Sequence, residues 1–171
     1  HKVDHRATLY SRDLKEISAT FPEIVDAVRK LSADVVIDGE VLAMRGDAVL
    51  PFADLQKRLG RREADLFMGE EVPVGLMAFD LLWLNGRSLL NEPLSSRRQQ
   101  LEQISWPAVV GLAAVRVAHS AEKGEQAFDA PRARHNEGLM AKDPDSLYTP
   151  GRRGLAWLKL KKALATLDCV V

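Results

Sequence analysis

Asp34-Val-Val-Ile-Asp-Gly-Glu-Val-Leu-Ala-Met44 is the stretch on which the reading of this chain turns. Its β-branched content argues for a strand, because branched side chains pack well on a pleated surface. Gly39 in its middle reads as a bulge. Asp38 and Glu40 interrupt the apolar run, and charged residues are almost never buried without a partner. Two readings stay open here: the acids mark a strand end or a site, or they sit exposed on a bulged turn. Arg45-Gly-Asp47 then reads as a turn. A second apolar run, Val72 to Leu84, contains Val-Gly-Leu-Met-Ala-Phe-Asp and stops at Asn85-Gly86, a strong hairpin signal. It reads as a central strand.

Upstream, Arg6 to Ser11 alternates like a strand, with no visible partner before it. Thr20-Phe-Pro-Glu23 reads as a helix start, with Thr20 as cap, Pro22 in the first turn and Glu23 spaced for a capping box. Ile24, Val25, Val28 and Leu31 would form its buried stripe, to about Ser32. Downstream, Phe52 to Leu59 fits a short helix after Pro51. Ser95 or Ser96 is placed to cap a helix ending near Ile104. Ala113 to Ala118, Glu137 to Lys142, Leu155 to Lys161 and Thr166 to Val171 read as strands, and Glu122 to Arg134 as a helix that Pro131 ends or kinks. Strands and helices mix without a βαβ rhythm, so the expected class is α+β with mainly antiparallel sheets flanked by helices.

The 171 residues suffice for one domain with a real core, in one lobe or two. No apolar run nears the roughly 18 to 20 residues that a membrane span needs. His1-Lys-Val-Asp-His5 does not read as a signal peptide. One cysteine, Cys169, excludes an intrachain disulfide and a cysteine-based zinc site. An intracellular protein is the simplest reading. Net charge is zero, so the chain is no bulk polycation. Between Arg132 and Lys162, however, eight Lys or Arg face three acids, and Lys57, Arg58, Arg61 and Arg62 form a second basic cluster. Such clusters suit either a polyanion or a solvated face.

Common phosphate loops, zinc motifs and serine elbows are absent, and the four histidines show no ligand spacing. Besides Asp38-Gly-Glu40, two segments stand out. In Glu137-Gly-Leu-Met-Ala-Lys142, a strand facing a cleft would let Glu137 hold a metal and Lys142 a phosphate; an edge strand with solvated ends is the alternative. In Trp157-Leu-Lys-Leu-Lys161, Lys159 and Lys161 fall on one face, about 7 Å apart along a strand. They would bracket a phosphate as point charges, or line an ordinary amphipathic strand.

Taken in order along the chain, these segments resemble the covalent nucleotidyltransferases, and most of all the ATP-dependent DNA ligases of archaeal and bacterial type. Ser11-Arg12-Asp13-Leu14 and Thr20-Phe-Pro-Glu-Ile24 match the family's Ser-Arg-Asn-Leu and Phe-Pro-Glu stretch. Asp38-Gly-Glu40 matches its Asp-Gly-Glu motif, and Pro51 to Gly60 the ligase segment after it. Ala78-Phe-Asp-Leu-Leu-Trp-Leu-Asn-Gly86 and Pro93-Leu-Ser-Ser-Arg-Arg98 match the adenine-contacting strand and its following helix. Glu137 to Lys142, Tyr148-Thr-Pro-Gly-Arg-Arg153 and Trp157 to Lys161 match the last two nucleotidyl-transfer motifs.

The resemblance implies an ATP-grasp-like core of the DNA ligase and mRNA capping enzyme kind. It implies a partial nucleotidyltransferase (adenylation) domain over 1–163 and the start of an OB-fold domain over 164–171. It implies ATP as AMP donor, Mg2+ or Mn2+ as metal, nicked double-stranded DNA as partner, the OB-fold domain of the same chain as neighbour, and no membrane. The implied setting is cytoplasmic and nucleoid-associated, in DNA replication, repair or recombination. ATP binding would fall to Arg12, Glu40, Phe79, Lys142, Arg153, Lys159 and Lys161, and metal binding to Glu40 and Glu137. Phe79 would stack on adenine.

One departure matters. The family's nucleophile is the lysine of a Lys-x-Asp-Gly motif, which these residues lack. Lys2-Val-Asp-His5 comes near it, but Lys2 lies only ten residues before Arg12, whereas the family spaces the pair by about twenty. Lys2 is therefore expected to be a solvated turn residue. The chain, starting mid-sheet and ending mid-strand, reads as a fragment whose nucleophile lies upstream, inactive in adenylation by itself. The alternatives are a related RNA ligase or capping-type enzyme, one half of a split enzyme, and a noncatalytic nucleotide- or DNA-binding remnant.

Overall fold

The computed structural model describes residues 1–46, 48–59, 72–120, 122–124, 139–151 and 154–160. Among them, the two apolar runs form the longest strands, β3 (Val35–Arg45) and β5 (Val74–Leu84). They pair antiparallel along nearly their whole length. Around them lie β1 (Lys2–Val3), β2 (Arg6–Ala7), β4 (Ala48–Val49), β6 (Arg87–Ser88) and β7 (Val110–Leu112). The sheet order is β2-β1-β3-β5-β6, with β4 on β3 and β7 on β5; the β5–β7 pairing is parallel and the others antiparallel. A separate two-stranded sheet pairs β8 (Leu139–Lys142) with β9 (Trp157–Leu160). The helices are α1 (Pro22–Val28), α2 (Phe52–Leu59) and α3 (Leu94–Gln103). The expected α+β class holds, as does the hairpin at Asn85-Gly86, where both residues take positive φ (45° and 88°) as a two-residue turn of this hand requires.

The apolar periodicity builds one core. Ile24 and Val28 of α1, Leu55 of α2 and Leu101 of α3 join Val35, Ala43, Leu76, Ala78 and Leu81 of the central strands. Gly39 does mark a bulge, since the register with β5 shifts between Asp38 and Gly39. A Cβ there would lie 2.9 Å from the Met77 carbonyl oxygen and 3.3 Å from Ala78 Cα, so only glycine lets the strands approach this closely.

Several expectations need correction. The partner of the Arg6 strand is Lys2–Val3, in a hairpin turned by Asp4 at φ 52°, and the strand stops at Ala7. Lys2 is no solvated turn residue: it is 3% exposed, and its Nζ donates to Asp34 Oδ1 at 2.9 Å. Burial of its aliphatic stem and a carboxylate for its head satisfy both ends of the side chain. Thr20 does not cap α1, whose N-cap is Phe21 without a side-chain bond. Glu23 is drawn off instead to Arg58, which forks onto both its oxygens and also donates to the Thr20 and Val72 carbonyls. Helix α1 ends at Val28 because the chain tightens to three-residue bonds, Lys30 to Ala27 and Leu31 to Val28.

Neither Ser95 nor Ser96 caps α3. The helix begins at Leu94, and the Leu94 and Ser95 N–H groups donate to the Ser146 and Pro144 carbonyls at 2.9 Å. Expected as a strand over 113–118, the chain pairs only at Val110–Leu112, and Val115 and Val117 are 62% and 75% exposed. Of the helix expected over 122–134 only residues 122–124 are described, and the 166–171 strand lies outside the described residues.

One ion pair joins these parts. Arg97 on α3 and Asp80 on β5 are both fully buried, with Nε to Oδ1 at 2.8 Å and Nη2 to Oδ2 at 2.9 Å. Arg97 Nη1 also donates to the carbonyls of Glu92 and Ser146. Removing one partner leaves an uncompensated buried charge. Arg97→Met is therefore expected to cost about 3–5 kcal/mol in urea unfolding, with much of the loss recovered in the Arg97→Met, Asp80→Leu double variant. A single variant as stable as the wild type would show that the pair ties nothing down.

Candidate active site

The bulge that Gly39 permits also places Phe79. The register joins Gly39 to Ala78 and Asp38 to Asp80, and skips Phe79. Ala78 and Asp80 have no exposure, while Phe79 is only half-buried, at the outer side of the central strand. There it meets the small sheet. Lys142 and Trp157 are direct partners across β8 and β9, and both reach Phe79. The Trp157 ring lies edge-on to Phe79, with centroids 6.1 Å apart and an interplanar angle of 75°. Lys142 Nζ sits 4.3 Å from the Phe79 centroid and 3.6 Å from that of Trp157. A cation over an aromatic face is attracted by the ring quadrupole.

Tyr148 completes the cluster. Its ring stands edge-on to Trp157 at 6.1 Å, the Arg97 guanidinium lies 5.8 Å from its centroid, and its hydroxyl donates to Asp38 Oδ2 at 2.9 Å. Burial, then the negative charge of Asp38, pushes the Tyr148 phenol well above its usual range, so it stays a proton donor. The result is an aromatic ledge of Phe79 and Trp157 with a cation on it and two carboxylates, Asp38 and Asp80, behind. Such a ledge suits a flat, electron-rich ring.

The structure gathers some of the expected residues and not others. Phe79 and Lys142 meet directly. Glu40 is exposed on β3, one glycine from Asp38 and opposite Met77. Lys159 is exposed on β9, two residues beyond Trp157 and so on the same strand face, opposite Met140. Arg12 is exposed on the turn closed by the Leu14 to Ser11 bond, and its side chain makes no hydrogen bond or ion pair among the described residues. Glu137, Arg153 and Lys161 lie outside the described residues. Asp80, Arg97, Tyr148 and Trp157 went without a role in the sequence reading. Only Asp80 carried a usable signal, as an acid in an apolar run with no visible partner.

No group of three or more His, Cys, Asp or Glu among the described residues is arranged to hold a metal. Magnesium needs fewer, since it keeps waters and leans on substrate phosphates. Among the described residues no helix is long and apolar enough to cross a membrane.

Burial lowers the Lys142 ammonium to about 8, against the opposing pull of Asp80 and Asp38. Between that value and the ordinary 10.5, the folded chain has released a proton that the unfolded chain still holds. Stability then rises with pH through this window, relative to a variant without the amine. Urea unfolding of wild type and Lys142→Met at about pH 7 and about pH 10 should show the wild type gaining on the variant. A gap that stays flat would mean an unperturbed lysine.

Comparison with known proteins gives the same direction from three sides. A family model described as "ATP dependent DNA ligase domain" matches residues 1–161. A probable DNA ligase of Opitutus terrae is 50% identical over the whole of this chain, which spans 20% of that relative. A DNA ligase of Natronomonas pharaonis is 40% identical, again over the whole chain and 31% of its own length. The chain thus spans a fifth to a third of these relatives. Among solved structures, the ligase domain of M. tuberculosis LigD superposes with a TM-score of 0.73 at 33% identity, over 92% of this chain and 49% of that one. A mycobacterial DNA ligase D described as complexed with ATP and MES gives 0.71 at 30% identity, over 92% and 48%. A ledge of aromatic rings beside a lysine, on a sheet that superposes on these ligase domains, belongs with the sequence match: the chain is a member of the ATP-dependent DNA ligase domain family.

Proposed function

We propose that this chain is the nucleotide-binding part of the adenylation domain of an ATP-dependent DNA ligase. The observation that carries this is the Phe79–Trp157 ledge with Lys142 upon it. Adenine stacks on Phe79, and the ammonium yields that face and turns toward phosphate. Glu40 serves the ribose and one metal position, and Glu137 a second. Arg12, Arg153, Lys159 and Lys161 neutralise phosphate charge. Bound Mg2+ or Mn2+ would add positive charge at the phosphates; two separated carboxylates and substrate oxygens are a sufficient donor set.

In the whole enzyme a lysine amine attacks the α-phosphorus of ATP, forming a P–N bond as the bond to pyrophosphate breaks. The AMP then passes to the 5′-phosphate of a DNA nick. The 3′-hydroxyl attacks that phosphate, joining the strand and releasing AMP. Cations beside the lysine favour its neutral, nucleophilic form, and the same cations stabilise charge that develops on the phosphate. Lys2 is not that nucleophile. Its side chain is buried and its ammonium is engaged by Asp34 Oδ1 at 2.9 Å. No Lys-x-Asp-Gly occurs in the 171 residues. Residues 164–171 open the OB-fold domain, and the setting is intracellular and nucleoid-associated.

Three measurements test this reading. Phe79→Ala should weaken ATP binding by about 5- to 150-fold, the equivalent of one stacked base. Equal affinity in the two proteins would remove the ledge from the site. Incubation of the 171-residue chain with α-labelled ATP should leave no labelled 19 kDa band on a denaturing gel, and a labelled band would reinstate Lys2. In the whole enzyme, guanylylation in place of nick sealing would favour a capping-type enzyme.

A further inference from the structure

We propose that the Tyr148 hydroxyl is a positioning group for nucleotide binding, fixing the aromatic ledge relative to the Asp38-Gly39-Glu40 bulge. The proposal rests on the reading of that ledge as the base site. Phe79 stands on β5 and Trp157 on β9, in different sheets. A flat ring bound on the ledge, with its ribose toward Glu40, needs the two sheets in one fixed relation. Tyr148 spans them. Its hydroxyl bonds to Asp38 on β3 at 2.9 Å, and its ring edge bears on Trp157, which bears on Phe79. Asp38 is one glycine from Glu40, and Gly39 has no room for a side chain. A shift of Asp38 therefore passes along a closely packed backbone to Glu40.

The rest of Tyr148 is secured without its hydroxyl. Its N–H donates to the Leu90 carbonyl, its ring packs on Trp157 and under the Arg97 guanidinium, and the loop before it is tied to α3 through the carbonyls of Pro144 and Ser146. Removing the oxygen thus leaves the loop anchored and frees only the link to Asp38. Asp38 keeps Lys142 as a charged neighbour, with Asp80 opposite it across the strands.

The test is made on the whole ligase, by self-adenylation rates against ATP concentration. Tyr148→Phe is expected to raise the KM for ATP by about 3- to 10-fold, the loss of one hydrogen bond, with kcat within about twofold of wild type. A role confined to stability would lower the active fraction, cutting kcat and leaving KM unchanged, and that result would overturn the proposal. So would unchanged values of both. The second arm is a cycle with Asp38→Ala: the KM effect of Tyr148→Phe should vanish in that background, and additive effects would refute the link. Wild-type ligase showing no saturable dependence on ATP would instead remove the base-site reading, and this inference with it.

Discussion

The structure hangs on a buried ion pair. Asp80 sits in the middle of the central strand and Arg97 in the first turns of the helix that follows, and neither has any exposure. Taking two such charges out of water costs several kcal/mol per ion, so the pair is tolerable only with complete geometry. Here it is complete. Both carboxylate oxygens accept from the guanidinium, the Leu81 N–H donates to one of them, and the guanidinium nitrogen left over reaches two carbonyls. Arginine alone has the planar fork and the spare donors for this; a lysine could not serve all four acceptors from one point charge. Strand, helix and the loop at 143–148 thereby meet at one residue, and the small sheet is carried on that loop.

From this anchor the candidate site follows. Because the small sheet is held where it is, Trp157 and Lys142 come against Phe79, and Tyr148 reaches Asp38. The ledge is assembled from β5, β8, β9 and the loop between the last two, with Phe79 and Trp157 seventy-eight residues apart in the chain. Lysine is a fitting lid for such a ledge. Its head is attracted to the ring face and to the two aspartates, yet its stem turns on rotatable bonds. On the proposed reading a base can take its place without any movement of the strands.

Charge read along a sequence is a poor guide to charge presented on a surface. Of the cluster Lys57, Arg58, Arg61 and Arg62, two residues are described, and both are engaged. Lys57 pairs with Asp54 one helical turn away. Arg58 is buried, forked onto Glu23 and stacked on Phe21. It therefore binds α2 to α1 and offers no charge to a polyanion. Lys2 makes the same point: its spacing from Arg12 suggested a solvated turn residue, and Asp34, thirty-two residues away, made it a buried strand residue.

What the sequence determined by itself is local or ordered along the chain. The two long strands, the bulge at Gly39, the Asn85-Gly86 hairpin and the helix at Phe52–Leu59 follow from side-chain period, backbone permission and turn chemistry, which act over a few residues. The family could be read as well, because its motifs keep their order whatever their folded distances. The tertiary structure alone decided which polar groups meet. It sent Glu23 to Arg58 instead of a capping box, gave the start of α3 backbone carbonyls instead of a serine, and matched Asp80 to Arg97 and Asp38 to Tyr148. A buried polar group must find a partner, but its identity depends on which distant segment packs nearby, and that is settled only when the whole core closes.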